Sequence, residues 1–344
     1  MASYAFWNNK GGVGKSFLCF ISSCEYANRH PESDVYVIDL CPQANLSETL
    51  LGTYKSRAKD LSRLYTKTPR ATVAGYIEAR LSSPFRQIRD VSSYVTQPFE
   101  TNNAIPRNLY LICGDNLLEI LSEAIRQTSQ LTIPTNAWGQ VINWIKDLTQ
   151  KLSEMSGDRD TVFIIDCNPS FAVYTQLALV AAEHVVVPFT ADDSSRRAVE
   201  NVVALLYGIG DSTVADYAKI SFSKRAKEEG VGIPRLHTFV NNRQTLYEGH
   251  PSKAFRAVST EIKKTVNGIY AKHRGLFDNP KELPGDNFIE IPDYHSASIV
   301  ASMMGTPLHR LRPGPHELGS QRVQINKEPL NKYRSALERV VDSF

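Results

Sequence analysis

The sequence predicts an α/β fold, a doubly wound and mostly parallel sheet with helices on both faces, and three observations carry that expectation. Short apolar, β-rich runs alternate with helical patterns along most of the 344 residues, the order that gives parallel pairing through crossover helices. Several of those runs, such as Val162-Phe163-Ile164-Ile165, are apolar at every position, as strands covered on both faces are. The first run, Tyr4-Ala5-Phe6-Trp7, meets a glycine-rich turn that opens straight into an amphipathic stretch.

Taken in order, strands are expected near residues 4–7, 35–40, 109–113, 162–166, 184–188, 237–241 and 288–291. Helical patterns fall between them, among others at 16–28, 140–152, 175–182, 197–207 and 253–270. Two segments read as additions to that core. Residues 53–107 are polar, rich in Ser, Thr and Arg, with only short helical patterns, and 211–234 reads as a surface helix with loops. Pro and Gly cluster between 306 and 319, ahead of a last helical pattern at 330–341. The chain is therefore expected to form one domain over 1–344, with an insertion at about 53–107 and a basic, helical extension at about 306–344.

Bulk properties bound the function. Hydrophobic residues make up 42% of the chain, enough for a sizeable core. A net charge of +3 leaves any affinity for nucleic acid to a local patch. The five cysteines, Cys19, Cys24, Cys41, Cys113 and Cys167, are odd in number and lack C-x-x-C spacing, which suits a reducing compartment and neither a disulfide framework nor a zinc site. No signal-peptide pattern precedes the first strand and no apolar run approaches the roughly 20 residues that span a bilayer. A soluble, cytoplasmic protein is expected.

The chemistry concentrates in Lys10-Gly11-Gly12-Val13-Gly14-Lys15-Ser16. Glycines let backbone N–H groups approach a polyphosphate closely, and the following helix N-terminus adds partial positive charge. Lys15 is placed to reach the β- and γ-phosphates, with the Ser16 hydroxyl on Mg²⁺. The pattern G-x-x-x-x-G-K-[ST] is not fully met: Asn9 stands at its first glycine, and a second lysine, Lys10, lies five residues before Lys15. Asp39, ending the second strand, and Asp166, ending the fourth, are carboxylates at the ligand edge of an open parallel sheet. Each is placed to hold a Mg²⁺-bound water.

This loop resembles the deviant Walker A loop of the ParA/MinD family of P-loop ATPases, in which the early lysine crosses a dimer interface to the partner's nucleotide. Asp39-Leu40-Cys41-Pro42-Gln43-Ala44-Asn45 resembles the family's D-x-D-P-Q-x-N segment, with Cys41 at the second acidic position. Ile164-Ile165-Asp166-Cys167-Asn168-Pro169-Ser170 resembles its I-I-D-C-P-P-S, with Asn168 for the first proline. The resemblance runs from Ser3 to about Met304 and is weakest across 53–107. It implies a P-loop NTPase fold, ATP and Mg²⁺ as cofactors, and a nucleotide site built of Lys10, Gly11, Gly12, Val13, Gly14, Lys15, Ser16 and Phe17. Lys10, Lys15 and Asp39 then serve hydrolysis, and Ser16, Asp39 and Asp166 hold the metal. Asn241 and Pro292, in segments similar to the family's base pocket, are expected against the adenine.

The resemblance further implies an ATP-dependent sandwich homodimer that binds double-stranded DNA non-specifically. Its use is plasmid or DNA partitioning, with a ParB-like stimulating partner and a nucleoid-associated location. Two basic zones are candidates for the DNA face: Lys253, Arg256, Lys263, Lys264, Lys272 and Arg274, and then His309, Arg310, Arg312, Arg322, Lys327, Lys332 and Arg334. Cys41 argues for slow hydrolysis, since a thiol neither ligates Mg²⁺ well nor orients water strongly. The alternative reading is accordingly an ATP-gated switch or scaffold that hardly turns over. A small-molecule ligase or a reductase-type relative on the same fold is a third; the absence of a paired cluster-ligand motif argues against an iron–sulfur reductase. The last helical pattern could serve as a membrane tail, but packing against the domain suits it better.

Overall fold

The computed structural model describes residues 1–344 except 245, 248, 249, 252 and 280. Seven strands form one sheet: β1 (Ala2–Phe6), β2 (Asp34–Leu40), β3 (Leu109–Ile112), β4 (Thr161–Cys167), β5 (His184–Phe189), β6 (Arg235–Gln244) and β9 (Ile289–Pro292). Between β6 and β9 lies a short hairpin of β7 (Leu246–Tyr247) and β8 (His250–Pro251). The main sheet runs β3-β2-β4-β1-β5-β6-β9, and every pairing in it is parallel. This is the doubly wound α/β architecture expected of the sequence.

Side-chain alternation divides the core in two. In β4, Val162 and Ile164 face one side while Phe163 and Ile165 face the other. In β2, Val35 and Val37 oppose Tyr36, Ile38 and Leu40 in the same way. That period of two is the pleat of the strand. Each fully buried aromatic or branched aliphatic side chain on either face stabilises the fold by about 1.5–3 kcal/mol.

The first face is covered by α1 (Lys15–Arg29), α2 (Asn45–Leu51), α13 (Ser296–Met304) and α14 (Lys327–Val341). Helix α1 buries Leu18, Ile21 and Cys24 there, and α14 buries Leu330, Tyr333, Leu337 and Val341. The last helix thus spends its apolar stripe on the core. The second face carries α4 (Val73–Ser82), α5 (Leu117–Ser129), α6 (Ala137–Ile142), α7 (Trp144–Met155), α8 (Val173–Ala181), α9 (Asp193–Tyr207), α11 (Lys224–Glu228) and α12 (Lys253–Lys272).

Three local features depart from the sequence reading. The helix expected at 140–152 is two helices, α6 and α7, broken at Asn143 with φ −88° and ψ 2°. Residues 314–325, within the Pro/Gly-rich stretch, fold as an antiparallel hairpin of β10 (Gly314–Leu318) and β11 (Gln321–Ile325); its turn at Gly319, φ +63°, uses the conformation that glycine adopts without strain. Residues 211–234 hold α10 (Thr213–Ala218), a π-helical turn at Lys219–Ser223 and α11, with Phe222 fully buried.

Residues 53–107 are tied to the sheet by specific bonds. They carry α3 (Arg57–Tyr65) and α4, which is capped by Thr72 accepting from the Gly75 N–H. Buried Arg80 pairs with Asp147 of α7, and Arg70 pairs with fully buried Asp115 just after β3. No helix of the described residues is long and apolar enough to cross a membrane.

Candidate nucleotide-binding site

The turn after β1 has the backbone a phosphate cradle needs. Gly12 and Gly14 have φ of +76° and +80°, the left-handed region that favours glycine. Gly14 caps α1 without any side-chain hydrogen bond, and no acidic residue occupies the first turn of the helix. The first N–H groups of α1 therefore have no side-chain acceptor, which leaves an anion site at a helix N-terminus. At Gly14 a Cβ would lie 2.5 Å from Asn242 Nδ2, so both conformation and close approach require glycine.

The two lysines of this loop have different surroundings. Lys15 is buried, and its Nζ donates to the carbonyls of Lys10 at 3.0 Å and Asn8 at 3.3 Å. Burial lowers its pKa, while the Asp166 charge opposes the fall. Lys10 points elsewhere. Its Nζ is bonded to Asp192 and lies 3.4 Å from Thr190 Oγ1, both in the segment joining β5 to α9, and 3.3 Å from Ser195 Oγ in the first turn of α9.

Asp39 and Asp166 are partners in the register of β2 and β4, and both follow the alternation onto the α1 face. Both side chains are fully buried. Burial raises the pKa of each, and the adjacent Asp39 charge raises that of Asp166 further. Their partners differ. Asp39 accepts from the Cys41 N–H at 3.0 Å, the Ser47 N–H at 3.0 Å and the Ser47 hydroxyl at 2.7 Å. It holds the turn after β2, where Ala44 is in the left-handed region at φ +51°, a strained conformation for a residue with a Cβ. Both oxygens of Asp166, by contrast, are buried without a hydrogen bond of good geometry, although the Ser16 hydroxyl and Cys19 thiol lie close enough to lower its pKa. A buried carboxylate so weakly satisfied is costly unless a cation or its water shell completes it. That donor set fits Mg²⁺.

A cavity of about 450 Å³ lies beside the loop. Gly12, Gly14, Lys15, Ser16 and Phe17 line it. Cys41, Gln43 and Asn45 also line it, as do Cys167, Asn168 and Arg243 among others. Burial, then Asp39 and Asp166, push the Cys41 thiol up to about 12, so it faces the cavity neutral. Lys10 is not part of this lining, and neither are Asn241 and Pro292. Alternation explains Asn241: it follows Phe239 onto the second face, while Asn242 follows Val240 onto the α1 face. Asn242 Nδ2 donates to the Val13 carbonyl at 2.9 Å. Asn241 is buried with both amide atoms unpartnered. Asn242, like Asn241, is absent from the cavity lining, and its amide serves the phosphate loop instead; nothing in the sequence pointed to Ser47 or Asp192.

A family model described as an AAA domain (AAA_31) matches residues 1–216, which contain the loop, both carboxylates and Lys10 with its Asp192 partner. The chain belongs to the ParA/MinD-like P-loop ATPases. Its fold is shared with solved structures at low sequence identity. McdA of Cyanothece, solved as a variant in complex with ATP, superposes with a TM-score of 0.60 at 15% identity, covering 99% of this chain and 96% of that one. A putative plasmid partition protein of Borrelia burgdorferi bound to AMPPNP gives 0.56 at 14% identity, covering 100% and 99%. A Corynebacterium diphtheriae protein gives 0.55 at 18% identity, covering 88% and 99%. No curated protein is similar enough in sequence to match the chain.

The basic zones of this ParA/MinD-like ATPase are not uniform. Arg334 is spent on the carbonyls of Leu308, His309 and Leu311, and His309 lies 3.3 Å from Glu25. Lys332 pairs with Glu328, and Lys264 with Glu261. Lys263 lies over the Phe288 ring and Arg274 over that of Tyr270. Arg312, Arg322 and Lys327, on and beside the β10–β11 hairpin, are exposed. The side chain of Lys253 lies outside the described residues.

Proposed function

We propose that this ParA/MinD-like ATPase closes as an ATP-dependent sandwich dimer that binds double-stranded DNA non-specifically and serves DNA or plasmid partitioning in the cytoplasm. One observation carries the reading: Lys15 lines the cavity beside its own loop, whereas Lys10 lies outside it on the β5–α9 segment. A lysine that leaves its own phosphate site to its neighbour can serve a second copy's nucleotide once it parts from Asp192. Residues 1–344 act in this reading as one ATPase domain, with 53–107 and 306–344 as elaborations of it. The fold is shared with a Cyanothece protein solved with ATP and a Borrelia protein described as a plasmid partition protein, which supports the same direction.

Within the site, the N–H groups around Gly11, Gly12, Val13 and Gly14 hold the phosphates, and Lys15 neutralises the β- and γ-oxygens. Ser16 supplies a hydroxyl to Mg²⁺, and Asp166 holds its water shell. When bound, Mg²⁺ draws charge from the phosphates and fixes their orientation. Asp39 keeps the Cys41–Asn45 turn in place from behind. Phe17 and Arg243 line the cavity, and Asn241 and Pro292 are read as the base-side residues. ATP acts through differential affinity, favouring the closed dimer over the open monomer. A ParB-like partner stimulates hydrolysis and resets the cycle on the nucleoid.

The second reading, an ATP-gated switch that turns over slowly, is favoured by the neutral Cys41 thiol at the cavity wall. Fluorescence anisotropy of a random-sequence duplex, with ATP·Mg²⁺ and with ADP·Mg²⁺ at two salt concentrations, tests the main reading. Salt-sensitive binding with ATP alone is expected. Binding in neither state overturns the DNA role.

A further inference from the structure

At the opposite edge of the sheet, where the strands begin, three side chains converge. His184 is the first residue of β5. His237 lies in β6 at a register shift: Val185 pairs with Leu236 and Val186 with Thr238, so His237 is an extra, bulged residue. A bulge in a parallel ladder is rare and re-aims a side chain. Here it turns His237 toward the face of Tyr4 and His184, with the imidazole centroids 5.1 Å apart. Asp278 arrives beside them because Phe277 bridges Leu236 and the Asp278 N–H donates to the Leu236 carbonyl.

The three side chains share short polar contacts. Asp278 Oδ2 lies 2.6 Å from His184 Nδ1 and 2.8 Å from His237 Nδ1. The other nitrogen of His237, Nε2, lies 2.6 Å from the Ser343 carbonyl oxygen. A neutral imidazole offers one N–H and one lone pair. Since the carbonyl can only accept, Nε2 carries a proton, which leaves Nδ1 as the nitrogen that faces Asp278 Oδ2 and His184. The place between these three atoms takes either a proton or a metal cation. An outer N–H held by a backbone carbonyl is also the usual support of a metal-bound histidine.

We propose that His184, His237 and Asp278 form a binding site for a divalent transition-metal ion, Zn²⁺ by donor chemistry, separate from the nucleotide site. Two imidazole nitrogens and one carboxylate oxygen are a donor set that zinc takes readily, with a fourth position left for water. Among the described residues, this is the group whose His and Asp donor atoms all lie within 4.8 Å of one another. Tetrahedral bonds of about 2.0–2.1 Å put neighbouring donors about 3.3 Å apart, so the cluster opens by roughly 0.5–0.7 Å from its present 2.6 and 2.8 Å contacts. Access exists, because His184 and Asp278 line a cavity of about 410 Å³ between Glu183, Arg235 and Lys146. Binding displaces any proton on either Nδ1. The ion also ties down the segment that supplies Ser343, whose neighbour Phe344 stacks on Tyr4 at 4.5 Å.

Calorimetric titration of the metal-stripped full chain with Zn²⁺, without nucleotide, tests the site. One equivalent is expected to bind, and Asp278→Asn or His184→Gln should weaken binding by about tenfold or more, with binding of a fluorescent ATP analogue retained as a check of folding. Should those variants not fold, the wild-type imidazole NMR signals decide: of the eight histidines, Zn²⁺ should shift the signals of His184 and His237. A Co²⁺ complex should lack thiolate charge-transfer absorption. Absence of one-equivalent binding, binding unchanged in both variants, or signals shifting at other histidines would show a proton-held cluster only and overturn the proposal.

Discussion

Lys10 and Asp192 form an ion pair that ties the phosphate loop to the start of α9. Asp192 also accepts from Thr190 Oγ1 and from the Ser194 N–H, so one carboxylate both caps a helix and holds the lysine. Burial works to raise its pKa, but the bonds from Lys10, Thr190 and Ser194 override it and hold the group well below the usual carboxylate range. In a sandwich dimer Lys10 has to leave this partner, so the pair opposes closure.

Removing the charge while keeping the cap separates the two roles. Asp192→Asn is expected to retain α9, since Asn caps a helix about as well as Asp. A half-exposed pair is worth about 0–1 kcal/mol and a homodimer breaks two of them, so ATP-dependent dimerisation should tighten by up to about thirtyfold. Sedimentation velocity with and without ATP·Mg²⁺ measures it. Weaker dimerisation in Asp192→Asn would mean that the carboxylate contacts the second copy rather than restraining Lys10.

Gly14 is expected to be the least replaceable glycine of the loop. Gly14→Ala places a Cβ at φ +80° and 2.5 Å from Asn242 Nδ2, which is already bonded to the Val13 carbonyl. The left-handed backbone alone costs about 1–2 kcal/mol, and the displaced amide adds to it. Gly11→Ala meets nothing within 4 Å and should change stability by less than about 0.5 kcal/mol. Thermal unfolding of both variants, with binding of a fluorescent ATP analogue, checks the contrast.

Much of this architecture was legible because its signals are short-range. Glycine spacing, an apolar strand ending in Asp and alternation within β4 each depend on a few neighbouring residues. The site details that escaped depend on long-range contact. Ser47 bonds Asp39 across a turn whose Ala44 conformation no local propensity favours, and Asp192 meets Lys10 across a separation of 182 residues. The bond from Asn242 to the Val13 carbonyl likewise escaped, because the expectation for this strand end rested on similarity of segments, whereas the pleat of β6 places Asn241 and Asn242 on opposite faces. The β10–β11 hairpin was obscured by the Pro and Gly of its own turn and flanks.

Asp166 is expected to weaken the apo fold. Its folded pKa is raised above the unfolded value by burial and by Asp39. Stability is therefore greatest below the unfolded value, about 3.9, and falls as pH rises through the folded one, because the unfolded chain ionises first. Asp166→Asn removes this titration. It should stabilise the apo protein by on the order of 2 kcal/mol at neutral pH, with the gain vanishing toward about pH 4. The same change should abolish the stabilisation that Mg²⁺ gives together with ATP. Thermal unfolding across that pH range, with and without ATP·Mg²⁺, would expose a purely structural role if the variant were destabilised at every pH.

Cys41 sets the expected rate. Its N–H already bonds Asp39 Oδ1 at 3.0 Å and its carbonyl accepts from the Ala44 N–H at 2.9 Å, so the backbone of the turn is fixed independently of the thiol. A carboxylate introduced here lies on the cavity wall, near enough to the loop to orient water. Cys41→Asp should raise ATP turnover by about tenfold or more, at the low end of what a positioned acid–base group contributes, while Cys41→Ser leaves it unchanged. The added charge beside Asp39 and Asp166 should also destabilise the apo protein and make its stability more dependent on Mg²⁺. Phosphate-release kinetics at saturating ATP·Mg²⁺ read the first effect and thermal unfolding the second. If turnover does not rise although stability becomes more Mg²⁺-dependent, the carboxylate is in place and water orientation does not limit the reaction; the slow step then lies in dimer closure, where Lys10 leaves Asp192.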